Sequence, residues 1–505
     1  MLTRLKVQGF KNLADVDIRF GPFTCIAGAN GVGKSNLFDA IAFLTALADK
    51  PLMEAAMAVR GGEAWRGDLR SLFTRRGDQV GDRMRFEVEL IIPARGEDAL
   101  GQPAEASATF LHYTLELRHR ADPYRPSAGA IEVAFEQLTH INRSEARARL
   151  GFPHTKAWRD SVVLGRRTSP YISTDEEEER PVISLHADSK GGLGGGRPRK
   201  VPAASLPRTV LSSVNNAAEH RTLVLARAEM MRWTQLQLEP SALRTPDGFT
   251  ALAPEGTTLR PNGAHLPATL YGLTRRAQRE HAKAAAPHAD AVGAEAVLAR
   301  VANRLSALVE NVRSVDIDID EKRQLLSLVL TDRFHTRHVA SALSDGTLRF
   351  LALTVMEVDP RQQGLLCLEE PENGIHPRRI EAMIKLLTDL AVDAREPVGE
   401  ENPLRQVIIN THAPAVVAAV PDDALLVATG PETWQWQGAR LRGLPETWRD
   451  RDPAGVVAKG KLLAYLNPHG ALDPAPRAPG HRRVKDRPDL QQLLPLFAAE
   501  PGCEP

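Results

Sequence analysis

Cysteine is scarce in this sequence of 505 residues, which contains three: Cys25, Cys367 and Cys503. Three scattered thiols cannot supply a disulfide framework or the usual ligand spacing of a zinc site, so a disulfide-stapled secreted module is excluded. The first two lie in apolar, strand-like runs, as buried thiols do. At ~150 residues per domain, the chain has room for two or three domains with full cores.

Long hydrophobic runs and a net charge are also missing. No stretch approaches the ~18 consecutive apolar residues of a membrane span, and the opening MLTRLKVQGF lacks the apolar segment of a secretory signal. We therefore expect a cytoplasmic protein without membrane contact. Lys and Arg number 64 against 63 Asp and Glu, a formal charge of +1, so any nucleic-acid surface must be a local patch.

The order of apolar patterns predicts an α/β protein. Strand-like LTRLKV and FTCIA, joined through LADVDIRF, lead into a glycine loop and the helical LFDAIAFLTALA. Strands alternate with helices again from VDIDID to QVIIN, which indicates a largely parallel sheet at both ends of the chain. Residues 264–312 are helical in composition. The acidic run 175–179 and GGLGGGRPRK (191–200) are expected to be exposed loops.

A phosphate-binding loop is the clearest motif. Residues 28–35 read GANGVGKS and fit G-x-x-x-x-G-K-[ST] between an apolar strand and an amphipathic helix. Such a loop turns backbone N–H groups toward the α- and β-phosphates, while Lys34 reaches the β- and γ-phosphates and Ser35 ligates Mg²⁺. A chance match is the alternative, and the strand-loop-helix context disfavours it. The candidate nucleotide-binding residues are Asn30, Gly31, Gly33, Lys34, Ser35 and Asn36.

A pair of carboxylates, Glu369 and Glu370, follows the apolar run LLCL. A magnesium-dependent nucleotide hydrolase needs one carboxylate that holds the metal or its water, here Glu369, and a second that polarises the attacking water, here Glu370. Alone, such a pair is often only a solvated strand end. Combined with the phosphate loop, it predicts hydrolysis. Glu369 stands where an aspartate is more usual, which keeps the charge and lengthens the reach.

Two further motifs accompany the carboxylates. Ser344-Asp345-Gly346-Thr347 opens a helix, so its free N–H groups form a second anion site, although an ordinary helix N-cap is the alternative. His412, in INTHAP, ends the apolar strand that comes one helix after the acidic strand. A lone strand-end histidine is usually structural. Here the order of elements places it at the carboxyl edge where ligands bind in α/β sheets.

These four motifs, in this order, resemble the ABC-type ATPase heads of the RecF, SMC and OLD families, and most closely the compact ATPases found in bacterial anti-phage systems. In that resemblance GANGVGKS is the Walker A motif, ALSDGT (342–347) the ABC signature and LLCLEE the Walker B motif. EPENGIHP (370–377) is the D-loop with its continuation, and INTHAP the histidine switch. The resemblance covers about residues 1–50 and 340–420.

The resemblance implies ATP and Mg²⁺ as cofactors and a homodimer, or a higher homo-oligomer, arranged head to tail. Ser344 and Gly346 of one subunit would touch the γ-phosphate held by Lys34 of the other. Glu370 would be the catalytic base and His412 the γ-phosphate sensor. The family's signature usually has Gly-Gly where this chain has Asp345-Gly346. For the Q-loop glutamine, the arginine-rich stretch 60–85 offers Gln79.

Four regions are predicted: a nucleotide-binding head in two halves (1–95 and 313–445), an inserted lobe with a helical segment (96–312) and an irregular basic tail (446–505). The predicted function is an ATP-gated sensor or regulator of a separately encoded effector, a nuclease or toxin, in anti-phage defence. The alternative is a RecF-like repair ATPase that clamps double-stranded DNA. A third hypothesis is a non-hydrolysing scaffold that uses ATP as structural glue.

Two arginine-rich clusters could contact DNA phosphates, although basic clusters are more often only solvated faces. They comprise Arg66, Arg70, Arg75, Arg76, Arg83 and Arg85, and, in the tail, Arg477, Arg482, Arg483, Lys485 and Arg487. No nuclease is expected in this chain. Asp316, Asp318 and Asp320 read as the polar face of a strand, and Asp450 and Asp452 follow no apolar strand.

Overall fold

A computed structural model describes residues 1–59, 69–122, 129–188, 197–252, 257–284, 289–430, 438–450, 455–460 and 462. Its strands are β1 Leu2–Phe10, β2 Leu13–Arg19, β3 Phe23–Ala27, β4 Arg75–Arg76, β5 Gln79–Val80, β6 Arg83–Ile91, β7 Arg95–Glu97, β8 Pro103–Glu105, β9 Phe110–Ala121, β10 Gly129–His140, β11 Ile172–Glu177, β12 Arg180–Leu185, β13 Arg199–Pro202, β14 Thr234–Leu236, β15 Asp247–Gly248, β16 Val312–Asp320, β17 Leu325–Asp332, β18 Arg337–Val339, β19 Gly364–Glu369, β20 Arg405–Thr411, β21 Leu425–Thr429 and β22 Arg440–Arg442. Its helices are α1 Lys34–Leu47, α2 Leu52–Ala58, α3 Ala146–Leu150, α4 Lys156–Val162, α5 Val210–Ser213, α6 Ala217–Met231, α7 Pro240–Arg244, α8 Leu266–Ala284, α9 Ala289–Ser306, α10 Asp345–Val358, α11 Ile380–Leu390 and α12 Pro414–Ala419.

A six-stranded sheet joins the two ends of the chain, in the order β14-β19-β20-β3-β21-β22. Its first five strands are parallel, and β22 is antiparallel to β21. The N-terminal strand β3 therefore lies between β20 and β21 from the C-terminal part. This arrangement confirms the predicted α/β head built from both ends of the sequence.

The parallel sheet is buried on both faces, which explains its continuous apolar runs. Because successive side chains of a strand point to opposite faces, Leu365 and Cys367 pack into one core, which contains α1, while Leu366 and Leu368 pack into the other, which contains α10 and α11. Helix α1 thus lies between the parallel sheet and a second, antiparallel sheet.

The second sheet has eight antiparallel strands in the order β13-β12-β11-β10-β9-β6-β1-β2. Three aromatic rings, Phe10 of β1, Phe43 of α1 and Phe86 of β6, contact one another beneath it, with ring centroids 5.7 to 5.9 Å apart. These aromatic contacts fix α1, and with it the end of the phosphate loop, against the sheet.

A third, smaller antiparallel sheet contains β15, which precedes the helical hairpin α8–α9, and β16, β17 and β18, which follow it. The helical composition predicted for 264–312 is confirmed by these two helices. None of the helices in the described part of the chain has the length and apolar character needed to cross a bilayer.

Three local predictions need correction. The stretch LADVDIRF is not a connection but contains strand β2. The acidic run 175–179 is exposed as predicted, yet most of it belongs to the hairpin β11–β12, and Glu178 and Glu179 form the turn with φ of 51° and 62°. In GGLGGGRPRK, residues 191–196 lie outside the described residues, while Arg199 and Lys200 belong to β13 rather than to a loop.

The region predicted as an inserted lobe contributes strands to both large sheets. Strand β9, from the predicted lobe, pairs with β6, which precedes the predicted boundary at residue 95. Strand β14, also from the predicted lobe, is the edge strand of the parallel sheet and pairs with β19. The four-part division of the chain stays a prediction.

Candidate nucleotide-binding site

Strand register brings three motifs to one edge of the parallel sheet. Ala27, the last residue before the phosphate loop, pairs with Thr411 of β20, and the neighbouring Asn410 pairs with Glu369 of β19. Since β3, β20 and β19 run in the same direction, the segments that follow them leave at the same carboxyl edge. This is the edge at which α/β sheets bind ligands.

The phosphate loop passes close to its neighbours at two glycines. A Cβ on Gly28 would lie 2.5 Å from the carbonyl oxygen of Ala428, and one on Gly33 would lie 2.3 Å from the side-chain nitrogen of Asn12. Gly33 also has φ of 105°, a conformation that disfavours other residues. These contacts explain why glycine is required at both positions for the loop to keep its shape.

The ammonium group of Lys34 is directed back onto the loop. Its Nζ donates to the carbonyl oxygens of Gly28 at 2.7 Å and Ala29 at 2.8 Å. Burial lowers the pKa of Lys34, and the charges of three nearby glutamates, Glu370, Glu372 and Glu369, oppose that effect without reversing it. The lysine therefore lies where the loop would surround an anion.

The other predicted loop residues divide by position. Asn30 and Gly31 are exposed at the tip of the loop. Asn36, in the first turn of α1, donates from its side chain to the side-chain oxygen of Asn12 at 2.8 Å. Asn12 belongs to the turn between β1 and β2, so this hairpin supports the loop from outside the motif.

Glu369 meets the loop serine directly. Ser35 Oγ donates to one carboxylate oxygen of Glu369 at 3.1 Å, and the side-chain nitrogen of Gln235 donates to the other at 2.7 Å. A hydroxyl, a carboxylate and an amide are hard oxygen donors of the kind that Mg²⁺ uses together with substrate phosphates, so the residues fit this ion. The described residues contain no group of three or more His, Cys, Asp or Glu that could hold a metal ion. A magnesium ion at this site would therefore also need oxygen ligands from the nucleotide phosphates.

Glu370 is fixed by several contacts. Its carboxylate lies 2.7 Å from His412 Nδ1 and accepts from the side-chain nitrogen of Asn373 at 3.0 Å. Its own N–H donates to Asn410, and its φ of 44° is in the left-handed region, which is rare for a residue other than glycine and common at functional sites.

The environment of Glu370 keeps its carboxylate ionised. Burial alone would raise its pKa, but the hydrogen bonds from Asn373 and His412 and the charge of Lys34 outweigh burial and lower it. Two positions further along, burial raises the pKa of Glu372, which accepts a hydrogen bond from Thr411. The pKa values of Glu370 and Glu372 are therefore shifted in opposite directions at the same edge of the sheet.

The signature residues form a helix N-terminus. Ser344 is the N-cap of α10 and accepts from the N–H of Thr347 at 3.2 Å, as the simpler interpretation of the motif predicts. A Cβ on Gly346 would lie 3.2 Å from the carbonyl oxygen of Gly374, so α10 packs against the D-loop segment. None of the hydrogen bonds among the described residues joins Ser344 or Gly346 to the phosphate loop of the same chain.

A glutamine that sequence reasoning missed contacts the site. Gln79, the predicted candidate, lies in the short hairpin β4–β5. Gln235 instead bonds Glu369, because β14 pairs with the acidic strand. The signal for it is weak: a three-residue strand in WTQLQL ahead of Glu239 and Pro240.

Part of the first arginine cluster is paired internally. Arg83 and Arg85 lie 3.1 and 3.4 Å from Glu116, on the neighbouring strand. Arg70 is partly buried, whereas Arg75 and Arg76 are exposed on the hairpin β4–β5. Arg66 and the whole tail cluster, Arg477, Arg482, Arg483, Lys485 and Arg487, lie outside the described residues.

The aspartates considered for a nuclease do not gather. Asp318 is exposed on β16, 3.7 Å from Arg337, and Asp316 is partly buried on the same strand. Asp450 is exposed, and Asp452 lies outside the described residues. That the chain carries no nuclease stays a prediction.

Two family models match the two ends of the chain. The RecF/RecN/SMC N-terminal domain matches residues 1–58. An AAA domain, described as a putative AbiEii toxin of a type IV toxin–antitoxin system, matches residues 263–418. The first match contains the phosphate loop, and the second contains the signature, the acidic strand and His412.

Curated relatives match over short stretches. The DNA replication and repair protein RecF of Magnetococcus marinus is 38% identical over 86 residues, which is 17% of this chain and 22% of that protein. RecF of Paenarthrobacter aurescens is 32% identical over 110 residues, 20% of this chain and 27% of that protein. RecF of an Anaeromyxobacter species is 50% identical over 58 residues, 11% and 15% of the two chains. The matches thus span about a quarter or less of these relatives.

Solved structures of SMC heads match most of the chain at low TM-scores. The SMC head bound to the C-winged helix domain of ScpA has a TM-score of 0.41 at 13% identity, covering 88% of this chain and 97% of that one. The SMC head domain from Thermotoga maritima has a TM-score of 0.37 at 11% identity, covering 88% and 98%. The strand order and the motif positions, rather than this overlap, define the fold.

The predicted resemblance is therefore confirmed. This chain is similar to ABC-type P-loop ATPases of the RecF/SMC-like group, and both ends of its sequence contribute to the head.

Proposed function

We propose that this chain binds ATP with Mg²⁺, hydrolyses it, and joins a second copy head to tail while ATP is bound. The observation that carries the proposal is the meeting of Ser35 with Glu369 and of Glu370 with His412 beside the phosphate loop. A non-hydrolysing scaffold would have no use for a carboxylate held ionised by two hydrogen bonds at this position.

Each residue has a distinct part in this mechanism. Lys34 exchanges its bonds to the loop carbonyls for bonds to the β- and γ-phosphates. Ser35 and Glu369 would hold Mg²⁺, which would neutralise charge on the phosphate oxygens. Glu370, ionised and fixed by Asn373, accepts the proton of the water whose oxygen bonds to the γ-phosphorus, while the bond from phosphorus to the bridging oxygen breaks and ADP leaves. His412, bonded to Glu370, is the γ-phosphate sensor.

The test of hydrolysis is Glu370→Gln. We expect kcat to fall about 10²- to 10⁴-fold, the usual contribution of a general base, while ATP binding persists. Because hydrolysis would separate the heads, the variant should also accumulate an ATP-dependent dimer on gel filtration. Unchanged turnover would contradict the role of Glu370, and a monomer at saturating ATP would contradict the head-to-tail dimer.

We propose further that the ATP cycle regulates a separately encoded effector, a nuclease or toxin, in anti-phage defence. Support comes from the family model at 263–418, whose description names a putative toxin of a toxin–antitoxin system. Co-expression with neighbouring genes tests this role: a product of one of them should copurify, and its activity should differ between the wild type and Glu370→Gln. An effector that ignores the substitution would contradict regulation by ATP turnover.

The second candidate function is a RecF-like ATPase that clamps double-stranded DNA. The RecF relatives and the exposed Arg75 and Arg76 favour it. In that case duplex DNA should stimulate turnover at low salt, the stimulation should disappear at moderate salt, and Arg75→Ala with Arg76→Ala should weaken it. Turnover that is indifferent to DNA under all these conditions favours the effector role.

A further inference from the structure

Asp345 is the unusual residue of the signature, where the resemblance leads one to expect glycine. Its side chain is 54% exposed at the first position of α10. A carboxylate there stabilises the helix N-terminus, but it also adds a negative charge to a surface proposed to receive the γ-phosphate of a partner subunit. An anion site with this residue needs a compensating cation.

Arg244 supplies that cation. Its guanidinium forms an ion pair with Asp345 and donates to the carbonyl oxygen of Leu343 at 3.0 Å, so it holds the segment on both sides of Ser344. Arg244 is the last residue of α7, which begins four residues after β14. The same segment carries Gln235, which bonds Glu369.

Stability does not explain this pair. The side chain of Arg244 is 31% exposed and that of Asp345 is 54% exposed, and ion pairs this accessible contribute little to folding because water and salt screen them. The bond to Leu343 fixes the guanidinium at the loop that precedes the helix, beside the free N–H groups of α10. At this position the guanidinium can offset the negative charge of Asp345 beside the anion site.

We propose that Arg244 is a positioning residue of the signature motif: it neutralises Asp345 and orders residues 343–345, so that the N-terminus of α10 can bind the phosphate held by a second copy of this chain. The inference rests on the proposed ATP-dependent dimer. Arg244 is needed because Asp345 is present: with glycine at position 345 the signature would carry no carboxylate that requires a cation.

The test is a double-mutant cycle read as ATP-dependent dimerisation in the Glu370→Gln background, by sedimentation at a series of protein concentrations. Arg244→Ala should weaken the dimer about tenfold or more, because it leaves the carboxylate unpaired, and Arg244→Lys should weaken it less. Binding of a fluorescent ATP analogue to the monomer should not change. Asp345→Gly combined with Arg244→Ala should restore most of the dimerisation, because the unpaired carboxylate is gone, and the remaining loss measures the bond from Arg244 to Leu343.

Asp345→Gly alone tests the inference even if Arg244→Ala fails to fold, because it leaves Arg244 unchanged. This variant should dimerise at least as tightly as the parent. A weaker dimer in this variant, no rescue in the double variant, or no effect of Arg244→Ala would each overturn the inference and leave the proposed function standing. A parent that never dimerises with ATP would overturn the proposed function and this inference together.

Discussion

Glu370 depends on neighbours that determine both its direction and its ionisation. The hydrogen bond from Asn373 favours the charged carboxylate, and it is one of the contacts that lower the pKa of Glu370. Removing the bond therefore raises that pKa. As a result, a larger fraction of Glu370 is protonated, and unable to accept a proton, at mildly acidic pH.

The corresponding prediction concerns Asn373→Ala. The acidic limb of the profile of kcat/KM against pH should move to higher pH, while activity at alkaline pH changes less. Asn142→Ala is a matched control, since Asn142 also donates to a glutamate, Glu145 at 2.9 Å, elsewhere in the molecule. Identical profiles for the wild type and Asn373→Ala would contradict the assigned contact.

Gln235 provides a second prediction at this scale. Its bond to Glu369 orients a proposed metal ligand, and partners of this kind typically contribute about 10- to 100-fold to metal affinity or activity. Gln235→Ala should therefore raise the Mg²⁺ concentration needed for half-maximal ATP turnover. Gln79→Ala, in an exposed hairpin, should behave as the wild type. The reverse pattern would return the Q-loop assignment to Gln79.

At the residue scale, a contact can be predicted from the sequence when its partners are close together in the chain. Lys34 and Ser35 belong to a contiguous motif, so their place beside the phosphate could be predicted from the sequence. Gln235 and Asn12 could not, because each reaches the site through strand pairing or a hairpin that no local pattern specifies. The signature aspartate is recognisable in the sequence as a departure from the family pattern, but its partner Arg244 lies 101 positions away.

At the scale of elements, a buried carboxylate connects the antiparallel sheet to a helix. Glu136 of β10 is fully buried and accepts from the N–H groups of Val210 at 2.7 Å and Leu211 at 2.9 Å, in the first turn of α5. Tyr113 of β9 donates to it as well. Burial raises the pKa of Glu136 to about 7, against an ordinary value of 4.5.

This shift predicts a pH-dependent stability. Below pH 4.5 Glu136 is protonated in both states, whereas between 4.5 and about 7 only the unfolded chain is ionised, so the free energy of unfolding falls as the pH rises through that window. The fall attributable to Glu136 should be about 3 kcal/mol. Glu136→Gln cannot titrate and should lose this component in denaturant unfolding at pH 5 and pH 8. Equal pH dependence in both proteins would contradict it.

Elements with strong periodicity were predictable, and elements defined by their neighbours were not. Strands β3, β19 and β20 contain apolar runs, and this pattern alone predicts buried strands of a parallel sheet. Strand β13 contains arginine, lysine and proline, and it is a strand because it pairs with β12. Strand β14 has three residues and exists through its pairing with β19.

At the scale of the whole molecule, the strand order of the parallel sheet joins the N-terminal part of the chain to the part that contains β19, β20 and β21. Strand β3 is flanked by β20 and β21, so the phosphate loop and the acidic strand cannot separate without breaking the sheet. By contrast, α10 presents Ser344 on a surface that makes no hydrogen bond to the phosphate loop within the described residues. In the proposed head-to-tail dimer, Ser344 of one copy would complete the phosphate site of the other.

This arrangement predicts complementation between two inactive variants. Lys34→Ala should abolish phosphate binding in its own subunit. Ser344→Asp keeps a good N-cap for α10 but repels the partner's γ-phosphate, so it should inactivate the opposite site. Neither variant alone can form a dimer with an intact site, whereas a mixed dimer pairs the normal phosphate loop of one subunit with the normal signature of the other.

Mixing the two variants in equal amounts should therefore restore about a quarter of the wild-type ATP turnover, since half of the dimers are mixed and each has one intact site of two. Heat-denatured Ser344→Asp added in place of the folded variant is the control. Folded variants that bind each other with ATP but release no phosphate would contradict a site shared between subunits. Turnover by Ser344→Asp alone would show that each head acts with its own residues.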